Sequence, residues 1–136
     1  MADTNNDSFF NVNKLTTDNY RDAMAHAVGS TGTIARVTKM GFGDQGDIDS
    51  DGNPVPPTST GPLNHVILVK NVNEITYPEP YTVCFRAEID PGEITAEINE
   101  VALMDDDENT LAKIRLFNGK GVDEESGLVF KWKMEF

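Results

Sequence analysis

The sequence has little positive charge. Its 136 residues include 11 lysines and arginines against 23 aspartates and glutamates, which gives a net charge of −12 at neutral pH. An electric field of this sign repels the phosphates of nucleic acids and the head groups of anionic lipids. We therefore expect neither a nucleic acid nor a membrane surface as a partner.

Cysteine and long apolar runs are also scarce. Cys84 is the only cysteine, so no internal disulfide can form and packing alone must hold the fold. No apolar run approaches the roughly 20 residues that a membrane span requires, and the opening MADTNNDSFFNVNK lacks the basic and then apolar order of a secretory signal. We expect one soluble domain, made in a reducing cytosol.

Residues for nucleophilic or acid–base catalysis are few. A catalytic serine or cysteine needs a neighbouring base that a third group orients. His26 lies in a predicted helix, His65 begins a predicted strand, and Cys84 lies within an alternating strand, with no HExxH or GxSxG motif around them. We therefore predict that the protein is not an enzyme.

The string GFGDQG, residues 41–46, matches the glycine spacing of dinucleotide-binding loops. That motif works only where a helix begins at the glycines, because the helix amino terminus faces the pyrophosphate. Here an acidic, proline-rich segment follows instead. The string is therefore not a dinucleotide fingerprint, and we do not expect a nucleotide site.

That acidic segment, GDIDSDGNPVPP at 46–57, resembles the first half of a calcium-binding loop. Aspartates alternate and a glycine follows, but Thr58 stands where a bidentate glutamate would complete the pattern, and the prolines exclude a following helix. Two hypotheses stay open: a helix-free calcium loop, and an acidic loop that faces water, which we favour. The candidate calcium ligands are Asp47, Asp49, Asp51 and Asn53, with Asp44 as a further oxygen donor.

The N-terminal half of the chain predicts one helix and one strand. Residues 1–14 are polar, and we expect them to be flexible. TTDNYRDAMAHAVG has helical apolar spacing, with Thr17 or Asp18 as the N-cap and Gly29 in a left-handed conformation at the end. A loose strand is predicted from Thr31 to about Met40. The connection at 43–62 is long, which is typical of functional loops and of loops that a partner orders.

The rest of the chain predicts an antiparallel sheet. NHVILVKNV, YTVCFRAEI and ITAEINEVALMD have strand patterns, and the third needs a bulge near Asn99 and Glu100 to keep its apolar residues in phase. DDDEN then turns the chain into TLAKIRLF. GLVFKWKMEF has five bulky apolar residues on one face. The predicted fold is α+β and mainly β, an antiparallel sheet or sandwich with one short N-terminal helix packed on it, in a single domain at 15–136.

The stretch INEVALMDDDENTLAKIRLFN resembles the signature of phage tail-collar fibre domains. In that family a strand ending in I-x-E-V-G-L-F-D runs through an acidic turn into G-x-L-I-A, and here Ala102 replaces the glycine of the first part. The matching residues are Ile98, Glu100, Val101, Leu103, Met104, Asp105, Thr110, Leu111 and Ala112. TTDNYRDAMAHAVGSTGTIARVTKMGFGDQG is similar to the family's opening helix, strand and glycine turn. The resemblance covers about residues 15–136 and is weakest at 45–62.

The resemblance implies a structural protein of a phage or phage-like contractile tail, which attaches a tail fibre to the baseplate. Because the sequence ends at Phe136 without a repetitive shaft, we expect an attachment component that is made in the host cytoplasm and works in the virion tail. The implied partners are fibre and baseplate proteins and further copies of the chain, with threefold symmetry. The alternative function is a calcium-dependent binding module built on the Asp47–Asp51 loop.

Overall fold

The described part of the chain, residues 14–29 and 32–136 of a computed structural model, contains eight strands and one helix. They are β1 (Lys14–Thr16), α1 (Asp18–Val28), β2 (Lys39–Gly43), β3 (Val66–Asn71), β4 (Glu74–Thr76), β5 (Thr82–Ile89), β6 (Ala96–Met104), β7 (Thr110–Val122) and β8 (Leu128–Glu135). The predicted fold class, mainly β with one short helix, is confirmed.

The strands form two antiparallel sheets. The first has the order β1-β7-β6-β2-β3, and the second has the order β4-β5-β8. The chain crosses from the first sheet to the second between β3 and β4, where the amide of Asn73 donates to the carbonyl of Arg86 at 2.8 Å. The acidic turn at 105–109 joins β6 to β7 as a hairpin, as predicted.

The two sheets enclose the apolar core. Alternating residues of β5 and β8 turn inward, and Phe130 of β8 meets Phe42 of β2 edge to face, with ring centroids 6.4 Å apart. Trp132 is buried beside them. Burying aromatic rings of this size is among the largest favourable contributions to folding. The predicted apolar face of β8 is therefore covered by the domain itself, except at Phe136, which is 72% exposed.

Helix α1 is held at its first turn. Thr17 is the N-cap: its side chain accepts from the Tyr20 amide and donates to the carbonyl of Leu111 on β7. Tyr20 is the buried residue of the helix. Gly29 ends the helix with φ −83°, so the predicted left-handed conformation is wrong. No helix in the described residues is long and apolar enough to cross a membrane.

Two features of the strands differ from the sequence predictions. The strand predicted from Thr31 is formed only at Lys39–Gly43, and residues 32–38 are irregular. Strands β1 and β4 were not predicted, because three residues are too few to show an alternating pattern. The predicted flexible segment at 1–14 lies outside the described residues, apart from Lys14, which begins β1. The predicted bulge is confirmed between Ile98 and Glu100.

Candidate functional site

The acidic loop, defined here as residues 44–65 between β2 and β3, lies on the outer face of the five-stranded sheet. Leu63 of this loop is buried and forms a small apolar cluster with Ala102 and Met104 of β6. The loop contains no helix and only one isolated bridge, between Ile48 and Pro54. It therefore covers a face of the sheet that would otherwise be open to water.

A buried carboxylate joins both ends of the acidic loop. Glu100 on β6 is 5% exposed, and it accepts hydrogen bonds from the backbone amides of Gln45 at 3.3 Å, Asn64 at 3.0 Å and His65 at 3.0 Å. A buried charge is tolerated where hydrogen bonds replace its hydration. Glu100 thus fixes the start and the end of the loop to the same point of the sheet.

The bulge in β6 gives the loop a second anchor. Ile98 and Val101 both lie in the core, so the two residues between them, Asn99 and Glu100, are available to the outer side. The side-chain oxygen of Asn99 accepts from the Gly46 amide at 2.9 Å. The bulge that was predicted from the apolar pattern therefore has a second effect, because it directs two successive side chains, those of Asn99 and Glu100, toward the loop.

Glycine at position 43 is required by the close approach of Glu100. A Cβ atom at Gly43 would lie 2.6 Å from the Glu100 carboxylate and 2.6 Å from the carbonyl oxygen of His65. A Cβ atom at Gly46 would collide with the side chain of Arg115. The glycines of GFGDQG thus make room for protein side chains, where a nucleotide loop would make room for phosphate.

Arg115 on β7 binds the underside of the loop. It is 6% exposed and stands opposite Glu100 in the strand register. Its guanidinium donates to the carbonyl of Asp47 at 3.1 Å, and also to the carbonyls of Asn99 at 2.9 Å and Leu116 at 3.0 Å. These bonds satisfy a buried cation with backbone oxygens.

Lys113, two residues earlier on β7, holds the far side of the loop. It is 3% exposed, and its ammonium donates to the carbonyl of Thr60 at 2.8 Å and to the hydroxyl of Thr58 at 3.3 Å. Burial lowers the pKa of Lys113 below its ordinary value of 10.5, while the negative charges of Glu100 and Asp47 act in the opposite direction. The buried charge cluster, defined here as Glu100, Lys113 and Arg115, therefore contacts the loop near its start, at residues 45–47, and near its end, at residues 58–65.

The candidate calcium ligands are engaged separately. Asp47 accepts from the Asn64 amide group at 2.9 Å, and Asp44 contacts His65 at 2.7 Å. Asp49 accepts from the backbone amides of Asp51 at 2.9 Å and Asn53 at 3.0 Å, which closes a tight turn. Gly52 has φ +83° in that turn, a conformation that favours glycine.

The geometry gives the loop a structural role. The described residues contain no group of three or more His, Cys, Asp or Glu side chains suited to a metal ion, so the structure does not bring the candidate ligands together. The cavity between the loop and the buried charge cluster has a volume of ≈ 30 Å³. That is about the volume of one water molecule, which leaves no room for an organic ligand there.

The residues considered for catalysis lie on three different elements. His26 is on α1, His65 precedes β3 beside Asp44, and Cys84 is on β5. Cys84 faces away from the core, between the buried residues Thr82 and Phe85. No contact brings the thiol to a histidine base among the described residues, so this arrangement does not form a catalytic pair.

The buried charge cluster was not predicted from the sequence. Lys113 and Arg115 alternate with apolar residues of β7, a pattern that normally places charged side chains in water. The sequence does contain one indication of the cluster: two basic residues lie on the same face of a predicted strand, and a long acidic loop lies elsewhere in the chain. Only the strand order, which places β7 beside β6 and β6 beside β2, shows that they meet.

The chain matches no model of a known protein family, no curated protein and no solved structure. The tail-collar resemblance therefore stays a hypothesis, and no family is assigned.

We predict that Glu100→Gln destabilises the fold. An NH₂ group would then face a backbone amide, and the unsatisfied donors should lower the free energy of unfolding by about 1–3 kcal/mol. Urea unfolding measures the change. Glu97→Gln, at an exposed position of the same strand, is the control and should change the free energy by less than about 0.5 kcal/mol. Equal effects of the two variants would contradict the anchoring role of Glu100.

The lowered pKa of Lys113 predicts a pH-dependent contribution to stability. The unfolded chain binds this proton more tightly, so the contribution is present above the ordinary pKa of 10.5 and is lost as pH falls through the lowered folded pKa. The free energy of unfolding of the wild type, relative to Lys113→Met, should therefore increase as pH rises from the lowered folded pKa toward 10.5. A difference that is flat or decreases over this interval would contradict the burial of a charged lysine.

Calcium should not stabilise the protein. Because Asp44, Asp47 and Asp49 bind separate partners, millimolar calcium should give the same midpoint of thermal unfolding as magnesium at equal ionic strength. Differential scanning calorimetry measures both midpoints. A calcium-specific increase that Asp49→Asn abolishes would restore the calcium-module hypothesis.

Proposed function

We propose that this protein is a non-enzymatic structural component of a phage or phage-like contractile tail, which attaches a tail fibre to the baseplate through protein–protein contacts. The proposal combines the tail-collar resemblance of residues 15–136 with the surface that the fold exposes. Its site of action is the virion tail, and its partners are fibre and baseplate proteins.

The observation that carries the proposal is an exposed apolar cleft at the open end of the sandwich. Residues 34–38 form one wall, and the ends of β4, β5 and β8 form the other, around a volume of ≈ 1080 Å³. Tyr77 is 76% exposed, Tyr81 is 80% exposed and Phe136 is 72% exposed, and Ile34 and Ile75 stand beside them. Clustered exposed aromatic residues are typical of surfaces that bind other proteins.

The acidic loop supports the same proposal indirectly. Its contacts with the sheet are made by the buried charge cluster, and only a water-sized cavity lies beneath it. The loop is thus part of the scaffold, and the cleft is the better candidate for a partner surface. Copies of a tail protein surround a common axis, so we expect a symmetric oligomer with threefold symmetry.

Truncation of the cleft tests the proposal. Ile75→Ser combined with Tyr77→Ser should reduce the copies of the protein in purified tail particles about tenfold or more, because central aromatic anchors supply much of an interface's binding free energy. Val28→Ser is the matched control, since Val28 is 87% exposed and does not line the cleft. Quantitative mass spectrometry of the particles measures incorporation.

Two results would contradict the proposal. The first is a wild-type chain that sediments as a monomer at every concentration and is absent from purified particles. The second is incorporation that the double variant and the Val28→Ser control change equally.

A further inference from the structure

Strand β3 is the last strand of the five-stranded sheet. It pairs with β2, and no strand within residues 14–29 and 32–136 pairs with its other side. Its residues are mainly apolar, and most of them are only partly buried. The outer edge of an end strand presents a row of N–H and C=O groups on which a strand of another chain can form.

The register of β3 identifies its unpaired backbone groups. The amide of Val72 donates to the carbonyl of Thr38 at 2.9 Å, at the end of the β2–β3 pairing. Bonding residues alternate in an antiparallel pair, so Lys70 bonds to β2. Val69 and Asn71 therefore direct their N–H and C=O groups to the outer side, where no hydrogen bond from a described residue reaches them.

Strand β5 borders the same space from the second sheet. β4 pairs with β5 only as far as Arg86, whereas β5 continues to Ile89. The amide of Phe136 donates to the carbonyl of Tyr81 at 2.8 Å, so the odd-numbered residues of β5 bond to β8. Glu88 therefore directs its backbone groups to the opposite side, beyond the end of β4, and among the described residues they have no partner.

The two unpaired edges enclose a gap with a volume of ≈ 370 Å³. A residue of a sheet fills about 160 Å³, because the rise is about 3.4 Å, the strand spacing about 4.8 Å and the sheet spacing about 10 Å. The gap therefore holds about two residues of an extended chain. The residues that line it are Val69, Lys70, Asn71, Asn73, Glu88 and Asp90.

The charges around the gap favour a basic occupant. The ammonium of Lys70 is bound by both carboxylate oxygens of Glu93, at 2.7 and 2.8 Å. Glu88 contacts Arg86 only at 3.5 Å, and the exposed carboxylate of Asp90 has no ion pair with any described residue. The gap thus retains negative charge, which attracts a lysine or an arginine of a partner.

The same charges disfavour a second copy of β3 as the occupant. The β3 strand of another copy would bring its own β5 into a gap that has space for one strand. Glu88 and Asp90 of both copies would then lie close together, although each chain already has a net charge of −12.

We propose that the gap between β3 and the end of β5 binds an extended basic segment of a partner protein, which adds a strand to the outer edge of β3. Backbone hydrogen bonds to Val69 and Asn71 provide affinity, and a lysine or arginine beside Glu88 and Asp90 selects the partner. The site is separate from the apolar cleft, because the two share no lining residue. That the partner is a tail protein rests on the proposed function.

Amide exchange of the free chain is the first test. The amides of Val69 and Asn71 should exchange much faster than those of Leu68 and Lys70, which bond to β2. Equal protection of the two pairs in the free chain would show that the edge is already covered, and would overturn the inference.

A synthetic peptide of alternating lysine and valine is the binding probe, and its glutamate–valine counterpart is the control. Fluorescence anisotropy is measured at about 150 mM salt, where charges more than about 8 Å away are largely screened. Only the lysine peptide should bind, and its binding should slow the exchange of the Val69 and Asn71 amides.

Charge reversal at the gap tests the selection of a basic partner. Asp90→Lys should weaken binding of the lysine peptide about tenfold, because a favourable charge pair is replaced by a repulsive one. Asp51→Lys makes the same change of net charge at an exposed position of the acidic loop, and it should change the affinity less than about twofold. Equal effects of the two variants would show attraction by net charge alone, which would overturn the inference.

Asn71→Pro separates backbone pairing from charge. Proline removes an N–H that faces away from β2, a change that edge strands tolerate, and it should weaken binding about tenfold more than Asn71→Ala does. A thermal melt shows whether the proline variant is folded. A lysine–valine peptide with N-methyl groups on alternate residues tests the same bonds on the wild-type protein, and it should not bind.

Three further results would overturn the inference. The lysine peptide fails to bind up to about 1 mM, the N-methylated peptide binds as well as the unmodified one, or the chain self-associates and Asn71→Pro abolishes that association. The outcomes for the proposed function are distinct. If the wild type and Asn71→Pro enter tail particles equally, the inference is overturned and the tail assignment stands. If the wild type never enters particles although the lysine peptide binds as described, the tail assignment fails and the site on β3 stands.

Discussion

The fold depends on one buried carboxylate, that of Glu100. Three backbone amides from the two ends of the acidic loop donate to it. This single side chain therefore holds a loop of more than twenty residues against the outer face of the first sheet. Several features of the sequence follow from this interaction. Glycine is required at position 43 because the carboxylate lies where a Cβ atom would be, and the bulge beside Asn99 makes two successive side chains available to the loop.

Electrostatics explains why so acidic a loop stays folded against the sheet. Asp44, Asp47, Asp49 and Asp51 lie within a short segment and would repel one another in an open conformation. Beneath them lie Lys113 and Arg115, two of the eleven basic residues of the chain, which donate to loop oxygens from buried positions. Opening the loop would remove the hydrogen bonds of Lys113 to Thr58 and Thr60 and would take one of three from Arg115, and a buried cation that loses its partners is costly. The loop and its charges are thus one unit.

Much of the fold could be predicted from the sequence. The alternation in β5 and β8, the helix after Thr17, the acidic turn between β6 and β7 and the bulge at Asn99 each follow from local patterns, and the structure has all of them. The short strands β1 and β4 could not be predicted, because their stability comes from pairing with β7 and β5 and not from their own residues. The buried charge cluster could not be predicted either. Whether Lys113 faces water or a covering loop depends on contacts between residues more than fifty positions apart.

These contacts assign different roles to the surfaces of the molecule. The outer face of the first sheet is closed by its own loop, whereas the second sheet contributes to an exposed apolar cleft. A protein of this design can be completed by its neighbours in an assembly, which agrees with the proposed role in a tail. Hydrogen exchange of the free wild-type chain, resolved to single amides, is the sharpest test of whether Glu100 anchors the acidic loop. We predict that the amides of Asn64 and His65 are protected to the same degree as those in the centre of β6. Exchange of these two amides at the rate of an open loop, while β6 stays protected, would contradict it.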